Sequence, residues 1–355
     1  MKTKLFTLFF ILLISVFSFS QSTETIKGLC IASPSKSDVG KFVELIDKQL
    51  APSGLNVLVL RIDFDYEYKK RPELRSSNPL SEQDVKSLVN VCKAHNIKLI
   101  PQVNLLGHQS WASSLGKLLE VYPEFDETPS IQLPAEYKWP NEDGLYCKSY
   151  CPKHPDVHAV VFDLVDEIVE VFESDAFHAG LDEVFYIAHD DCERCKGDDP
   201  SLLFADEVTK LRNHLAQTNC ELWMWGDRLI DGKVTGLGIW EGSYNNTHRA
   251  IDLIPKDVVI NDWHYDVAHA TPFMFAAKGF DVIACPWNKP EVAINQVEMM
   301  DMLRNNSTSE MKSRYRGIMH TYWGSASSFM AGMNGDEKLK EDGAIIAFKE
   351  LSKVW

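Results

Sequence analysis

The sequence predicts a single-domain (β/α)8 barrel, and three observations carry that prediction. Short apolar and β-branched runs recur eight times, segments with helical periodicity lie between them, and no linker or shift in composition divides the 355 residues. Alternating strands and helices build a parallel sheet, and eight such units in a chain of this length close into one barrel.

The expected strands cover residues 28–32, 57–63, 98–103, 176–180, 221–225, 258–263, 281–286 and 317–323. Between the second and third, Ser81 stands as an N-cap, Val85, Leu88, Val89 and Cys92 share one helical face, and His95-Asn96 ends the run. Ahead of the fourth, Asp156 opens a helix in which Val157, Val160, Val161, Leu164, Val165, Ile168 and Phe172 repeat the spacing. The connection 114–153 is rich in Pro, Tyr, Trp and Glu but weakly periodic, which predicts a structured loop over the barrel mouth. At the N-terminus, Lys2 and Lys4 precede an apolar run from Leu5 to Phe17 and small residues at Ser18 and Ser20. This is the pattern of a secretory signal peptide over residues 1–20, which leaves 21–355 as the barrel domain. The run is too short to span a bilayer comfortably, so a periplasmic or extracellular protein without membrane insertion is expected.

A hydrophobic content of 45% permits a large core, and the net charge of −15 would repel nucleic acid or an anionic membrane. Nothing in the sequence sets the oligomeric state. Of the eight cysteines, Cys30, Cys92, Cys220 and Cys285 sit in apolar contexts as small hydrophobes. Cys147, Cys151, Cys192 and Cys195 lie in polar loop sequence as C-x3-C and C-x2-C, a pattern that suits either loop-pinning disulfides or a four-thiolate zinc site. Export favours the disulfides.

The C-terminal ends of barrel strands are where chemistry gathers, and here they carry an unusual set of residues. Asp63 and Asp65 follow the second strand, His108 the third, and the adjacent acids Asp182 and Glu183 the fourth, with His178 just upstream. Trp225 and Asp227 close the fifth, Trp263 and Tyr265 the sixth, Trp287 the seventh and Trp323 the eighth. Neighbouring carboxylates in a partly dry cleft cannot both ionise freely, so one is raised in pKa and becomes a general acid. Indole walls suit the apolar C–H faces of a sugar ring, whose rim hydroxyls need acids and histidines. Taken singly, each Trp reads equally well as core, His108 as a helix cap, and Asp63 or Asp65 as a partner of Arg61 or Lys69. The coincidence across strands points to a glycan or oligosaccharide substrate.

These residues lie in segments that resemble the glycoside hydrolase family 20 β-N-acetylhexosaminidases, in particular the compact single-barrel kind. Ile100-Pro101-Gln102-Val103-Asn104-Leu105-Leu106-Gly107-His108 resembles the family's IPxxxxxGH, and His178-Ala179-Gly180-Leu181-Asp182-Glu183-Val184 its HxGxDEV. Trp225-Gly226-Asp227 and the stretch from Gly317 to Trp323 are similar to two further family segments. The resemblance implies exo-hydrolysis of terminal β-linked N-acetylhexosamine with retention, assisted by the substrate's own acetamido group. On that reading Glu183 is the general acid/base, Asp182 orients the 2-acetamido group, and Tyr265 hydrogen-bonds the acetamido oxygen. Trp225, Trp263, Trp287 and Trp323 wall the pocket, and Asp63, Asp65, His108, His178 and Asp227 contact the sugar. No metal or other cofactor is implied.

Two departures bear on substrate and turnover. Leu181 stands where many members have a small residue, so a shifted turn or a narrowed pocket is expected, and the first strand lacks the arginine that larger members use on the sugar's outer hydroxyls. They leave standing a sugar-binding protein on a decayed barrel, or a glycosidase for a different modified sugar. A metal-dependent hydrolase using His108, His178, Asp182 and His264 is the remaining rival.

Overall fold

Eight parallel strands close into a barrel in the computed structural model, which describes residues 24–138 and 147–355. In chain order they are β1 (Ile26–Ala32), β2 (Val57–Arg61), β3 (Lys98–Leu105), β4 (Ala176–Gly180), β5 (Glu221–Trp225), β6 (Val259–Trp263), β7 (Asp281–Cys285) and β8 (Tyr315–Tyr322). Each pairs with the next, and β8 returns to β1 with Ile26 opposite Gly317. All eight expected strands are present, with ends displaced by one or two residues. The largest consequence is at β2, which stops at Arg61 because Asp63 adopts a left-handed φ of 46° that turns the chain out of the strand. The expected signal peptide, residues 1–20, lies outside the described residues. Among the described residues no helix is long and apolar enough to cross a membrane.

Strand periodicity sorts the core into two layers. On β2, Val57 and Val59 face the barrel interior with Cys30, Ile100, Trp223, Trp225, Ile283 and Met319, whereas Leu58 and Leu60 belong to the shell between sheet and helices. The helix Glu82–Ala94 begins with a full capping box between Ser81 and Asp84 and buries Val85, Leu88, Val89 and Cys92. The helix Val157–Phe172 buries its whole expected stripe, together with Glu167, which accepts hydrogen bonds from the backbone N–H groups of Lys69 (2.6 Å) and Lys70 (3.0 Å). That carboxylate anchors the loop after β2 to the outer helix layer.

The long connection after β3 is structured where it is described. A small antiparallel pair joins Ser110–Trp111 to Ser114–Leu115, the short helix Lys117–Val121 follows, and Phe125 is buried beyond it. Its cysteines differ from expectation. All eight cysteines are free thiols, so the four loop cysteines form no disulfides, and they do not act as one group. Cys151, Cys192 and Cys195 cluster, while Cys147 is drawn to the end of β4 instead. Four residues along an irregular loop allow those two sulfurs to point to different places, which spacing alone does not reveal.

Candidate active site

The acids are presented by a strained turn. At the end of β4, Gly180 (φ 68°), Leu181 (φ 66°) and Glu183 (φ 49°) all adopt left-handed backbone, a conformation that costs a non-glycine residue on the order of 1–3 kcal/mol. The neighbouring turn after β3 must come close to hold it. A Cβ on Gly107 would lie 2.5 Å from the Asp182 carbonyl oxygen, so only glycine fits before His108. Leu181 does not line the pocket. Its side chain is fully buried in the outer shell, so its size does not narrow the pocket as expected, while its left-handed backbone is part of the turn that presents the acids.

His108 joins the two acids. Its Nε2 lies 3.0 Å from Asp182 Oδ2 and 3.3 Å from Glu183 Oε2, and its Nδ1 lies 3.5 Å from the Cys147 sulfur. Burial opposes charge on His108, but Asp182 beside it outweighs that penalty and lifts its pKa well above the ordinary value. Burial likewise opposes ionisation of Asp182, yet the charge and hydrogen bond of His108 hold its pKa below the usual carboxylate range. Glu183 goes the other way. Burial raises it to about 7, His108 opposes the rise, and the charges of Asp182 and Asp227 add to it. Cys147, pushed up to about 12 by burial, remains a neutral thiol and donates to Glu183 Oε2 at 3.3 Å. Near neutral pH the pair therefore holds one ionised and one protonatable carboxyl side by side. Asp182 Oδ1 is buried and accepts no hydrogen bond among the described residues.

Asp227 holds this turn from below. Its Oδ2 accepts from the Glu183 backbone N–H (2.9 Å) and from Arg228 Nε (2.6 Å), and its Oδ1 accepts from Trp263 Nε1 (3.2 Å). Arg228 is itself buried and donates to the carbonyls of Ile239, Trp240 and Gly242. Both carboxylate oxygens of Asp227 are thus engaged by protein, which gives it a positioning role at this turn. His178 is corrected from its expected sugar contact. It is completely buried inside the barrel, its Nδ1 accepts from Gly180 N–H (3.1 Å), its ring packs 4.6 Å from Trp225, and burial lowers its pKa to about 3.

The aromatic residues meet as a continuous wall. Trp225 is fully buried beneath it, with its ring 5.8 Å from Trp323. Trp323 Nε1 donates to the Tyr265 hydroxyl (2.8 Å), and the Tyr265 ring touches Trp263 (4.9 Å) and Trp287 (5.3 Å). Burial raises the Tyr265 pKa well above its ordinary value, so the hydroxyl stays protonated while accepting from Trp323. Asp63 accepts from the Asn104 backbone N–H (2.8 Å) and is raised in pKa by burial, whereas Asp65 is exposed. β1 carries no arginine, and the arginine that ends β2 packs on the aromatic wall. Arg61, paired in register with Ala32, donates to the Tyr322 carbonyl (3.2 Å) and places its guanidinium 4.6 Å from the Trp323 ring centre.

Cys147, Arg61 and Arg228 were not singled out by sequence as parts of this site. Cys147 offered no signal beyond a loop cysteine, whereas an arginine ending one strand and another following the Trp-Gly-Asp segment were readable as strand-end residues. The four residues of the metal-hydrolase rival do not converge. His264 is held by Glu241 (2.5 Å), Asp262 (3.2 Å) and Thr271 (2.9 Å), apart from the His108 cluster.

The catalytic-domain profile of glycosyl hydrolase family 20 matches residues 59–325 of this chain, the span that runs from the middle of β2 through β8 and carries both acids. The chain belongs to glycosyl hydrolase family 20. A β-hexosaminidase of Emericella nidulans is 24% identical over 268 residues, covering 69% of this chain and 40% of its own length. A β-hexosaminidase of Akkermansia muciniphila is 26% identical over 138 residues, covering 39% of this chain and 26% of its own. The family 20 chain thus spans less than half the length of these relatives. Among solved structures it is similar to a chitobiase of Flavobacterium johnsoniae, with a TM-score of 0.62 at 15% identity, over 92% of this chain and 50% of that one. That likeness is one of fold, and family membership rests on the profile.

Proposed function

We propose that this family 20 chain is an exported, exo-acting β-N-acetylhexosaminidase that removes terminal β-linked N-acetylhexosamine from a glycan by substrate-assisted retaining catalysis. The observation that carries the reading is the asymmetry of the adjacent acids: Asp182 ionised with a buried, unpartnered Oδ1, and Glu183 protonatable near neutral pH beside it. Two carboxyls on one turn are poorly placed to flank a sugar from opposite faces, so the nucleophile comes from the substrate.

Glu183 donates its proton to the glycosidic oxygen as the bond to the anomeric carbon breaks. The acetamido oxygen forms the new bond to that carbon, giving a cyclic oxazolinium. Asp182 Oδ1 accepts the acetamido N–H and offsets the positive charge, and the Tyr265 hydroxyl, whose oxygen already accepts from Trp323, donates to the acetamido oxygen. The Glu183 carboxylate then takes a proton from water, which opens the ring from the face the leaving group occupied and restores the original configuration. The indole and phenol wall around Trp323 and Tyr265 accommodates the sugar and its N-acetyl methyl.

The test is release of a chromogenic phenol from a β-N-acetylglucosaminide and from the matched β-glucoside by the purified mature protein. Turnover of the acetamido sugar alone is expected. Equal turnover of both would require a protein nucleophile and overturn the assisted mechanism, and no turnover of either would overturn the hexosaminidase reading.

A further inference from the structure

Beyond the acid pair, three sulfurs and a carboxylate converge between two loops. Glu127, Cys151, Cys192 and Cys195 are all buried, and each brings one ligand atom within 4.8 Å of the others. The Cys151 sulfur lies 3.3 Å from that of Cys195 and 3.4 Å from that of Cys192, without a disulfide among them. Glu127 is fully buried. One of its oxygens accepts from the His189 backbone N–H at 3.1 Å, while Oε2 has no hydrogen-bond partner among the described residues. Its neighbours are the thiols of Cys192 and Cys195, weak donors at best, and a buried carboxylate set among three sulfurs is costly unless something positive meets it.

The local backbone is shaped around the sulfurs. The Lys153 N–H is directed at the Cys151 sulfur and the Arg194 N–H at the Cys192 sulfur. Within Cys192-x2-Cys195, the N–H groups of Cys195 and Lys196 both turn back to the Cys192 carbonyl, at 3.1 and 2.9 Å. The result is a tight knuckle carrying two sulfurs, faced by a third sulfur and a carboxylate from the other loop.

We propose that these four residues bind one zinc ion in a closed, structural Cys3Glu site. Thiolates select zinc over hard cations such as calcium or magnesium, and four convergent protein ligands complete tetrahedral coordination with no position left for substrate. The ion staples the loop after β3 to the loop after β4. Cys151 lies four residues beyond Cys147, whose thiol donates to Glu183, so the staple also steadies one contact of the acid pair. Zinc binding would further protect three closely spaced thiols from oxidation in an exported protein.

The experiment is metal analysis of the full mature chain purified without added metal, joined to zinc K-edge absorption spectroscopy. One zinc per chain, with three sulfur ligands and one oxygen ligand, is expected. Cys195→Ser and Glu127→Gln should each weaken retention against a chelator at least tenfold, whereas Cys147→Ala should retain the full equivalent. The last variant separates this site from the His108, Cys147 and Glu183 cluster, which also groups three ligand atoms. Should Cys195→Ser fail to fold, chelator-stripped wild-type protein titrated with Co2+ should take up one equivalent and develop sulfur-to-cobalt charge-transfer absorption. A folded, metal-free protein that takes up no Co2+, a disulfide among the three cysteines, or zinc that disappears with Cys147→Ala would each overturn the proposal. None of these outcomes depends on hexosaminidase activity.

Discussion

Replacing Glu183 with Gln should stabilise the folded protein increasingly as pH rises, even though it removes the group on which turnover is proposed to depend. In the fold Glu183 has a pKa of about 7, against 4.5 for the unperturbed group, and its side chain is only 13% exposed. For an acid raised on folding, the native state binds more protons than the unfolded chain between those two values. Stability contributed by the wild-type carboxyl is therefore present at low pH and falls as pH climbs from 4.5 through 7. At about 1.4 kcal/mol per unit, the full cost above that window is roughly 3 kcal/mol. Most of it falls between pH 5 and pH 8, over which the wild type should lose about 2.5 kcal/mol relative to Glu183→Gln. Glutamine keeps the shape and an acceptor for the Cys147 thiol without a charge to desolvate. The assay is urea unfolding of both proteins at pH 5 and pH 8, compared as the difference in unfolding free energy. A difference that stays constant across that range, or that shrinks as pH rises, would refute the raised pKa and with it the burial argument for a general acid.

Three further outcomes follow from the same geometry. The kcat/KM for the acetamido substrate should fall above about pH 7 as Glu183 loses its proton, and His108→Asn should move that limb upward, because His108 opposes the rise in the Glu183 pKa; an unmoved limb would separate the limb from Glu183. Asp227→Asn should cost on the order of 3 kcal/mol, since it leaves Arg228 buried without its charged partner, and should lower kcat more than it raises KM; denaturant titration with steady-state kinetics measures both, and a pure KM effect would instead return Asp227 to sugar binding. Gly107→Ala should destabilise by roughly 1–3 kcal/mol because its Cβ meets the Asp182 carbonyl, and turnover should drop with it; a fully active, equally stable variant would mean the two turns do not constrain each other.

All eight strands were legible in advance because each buries at least one face, and that demand writes apolar periodicity directly into the chain. The acid pair, His108 and the tryptophans were legible for a related reason, since a parallel barrel collects strand ends at one mouth. What those residues do once collected was less visible. Asp227 looked like a sugar ligand by position, but its oxygens are taken by Glu183, Arg228 and Trp263. His178 lies two residues before Gly180 and points to the interior floor. The four loop cysteines read as one set because irregular backbone carries no period from which direction can be inferred.

Local periodicity and chain order make the barrel, its strand ends and the inventory of chemical groups at the mouth readable from the residues alone. The pairing of groups from separate loops is set by the closed fold instead. His108 between the two acids, Cys147 on Glu183 rather than on Cys151, Arg61 over Trp323, and Glu127 among three sulfurs are all of this kind. Such contacts join residues tens to hundreds of positions apart, and the opposite pKa shifts of Asp182 and Glu183 arise from them. Burial and charge separation are properties of position in space, which the order of residues along the chain does not specify until the barrel has closed.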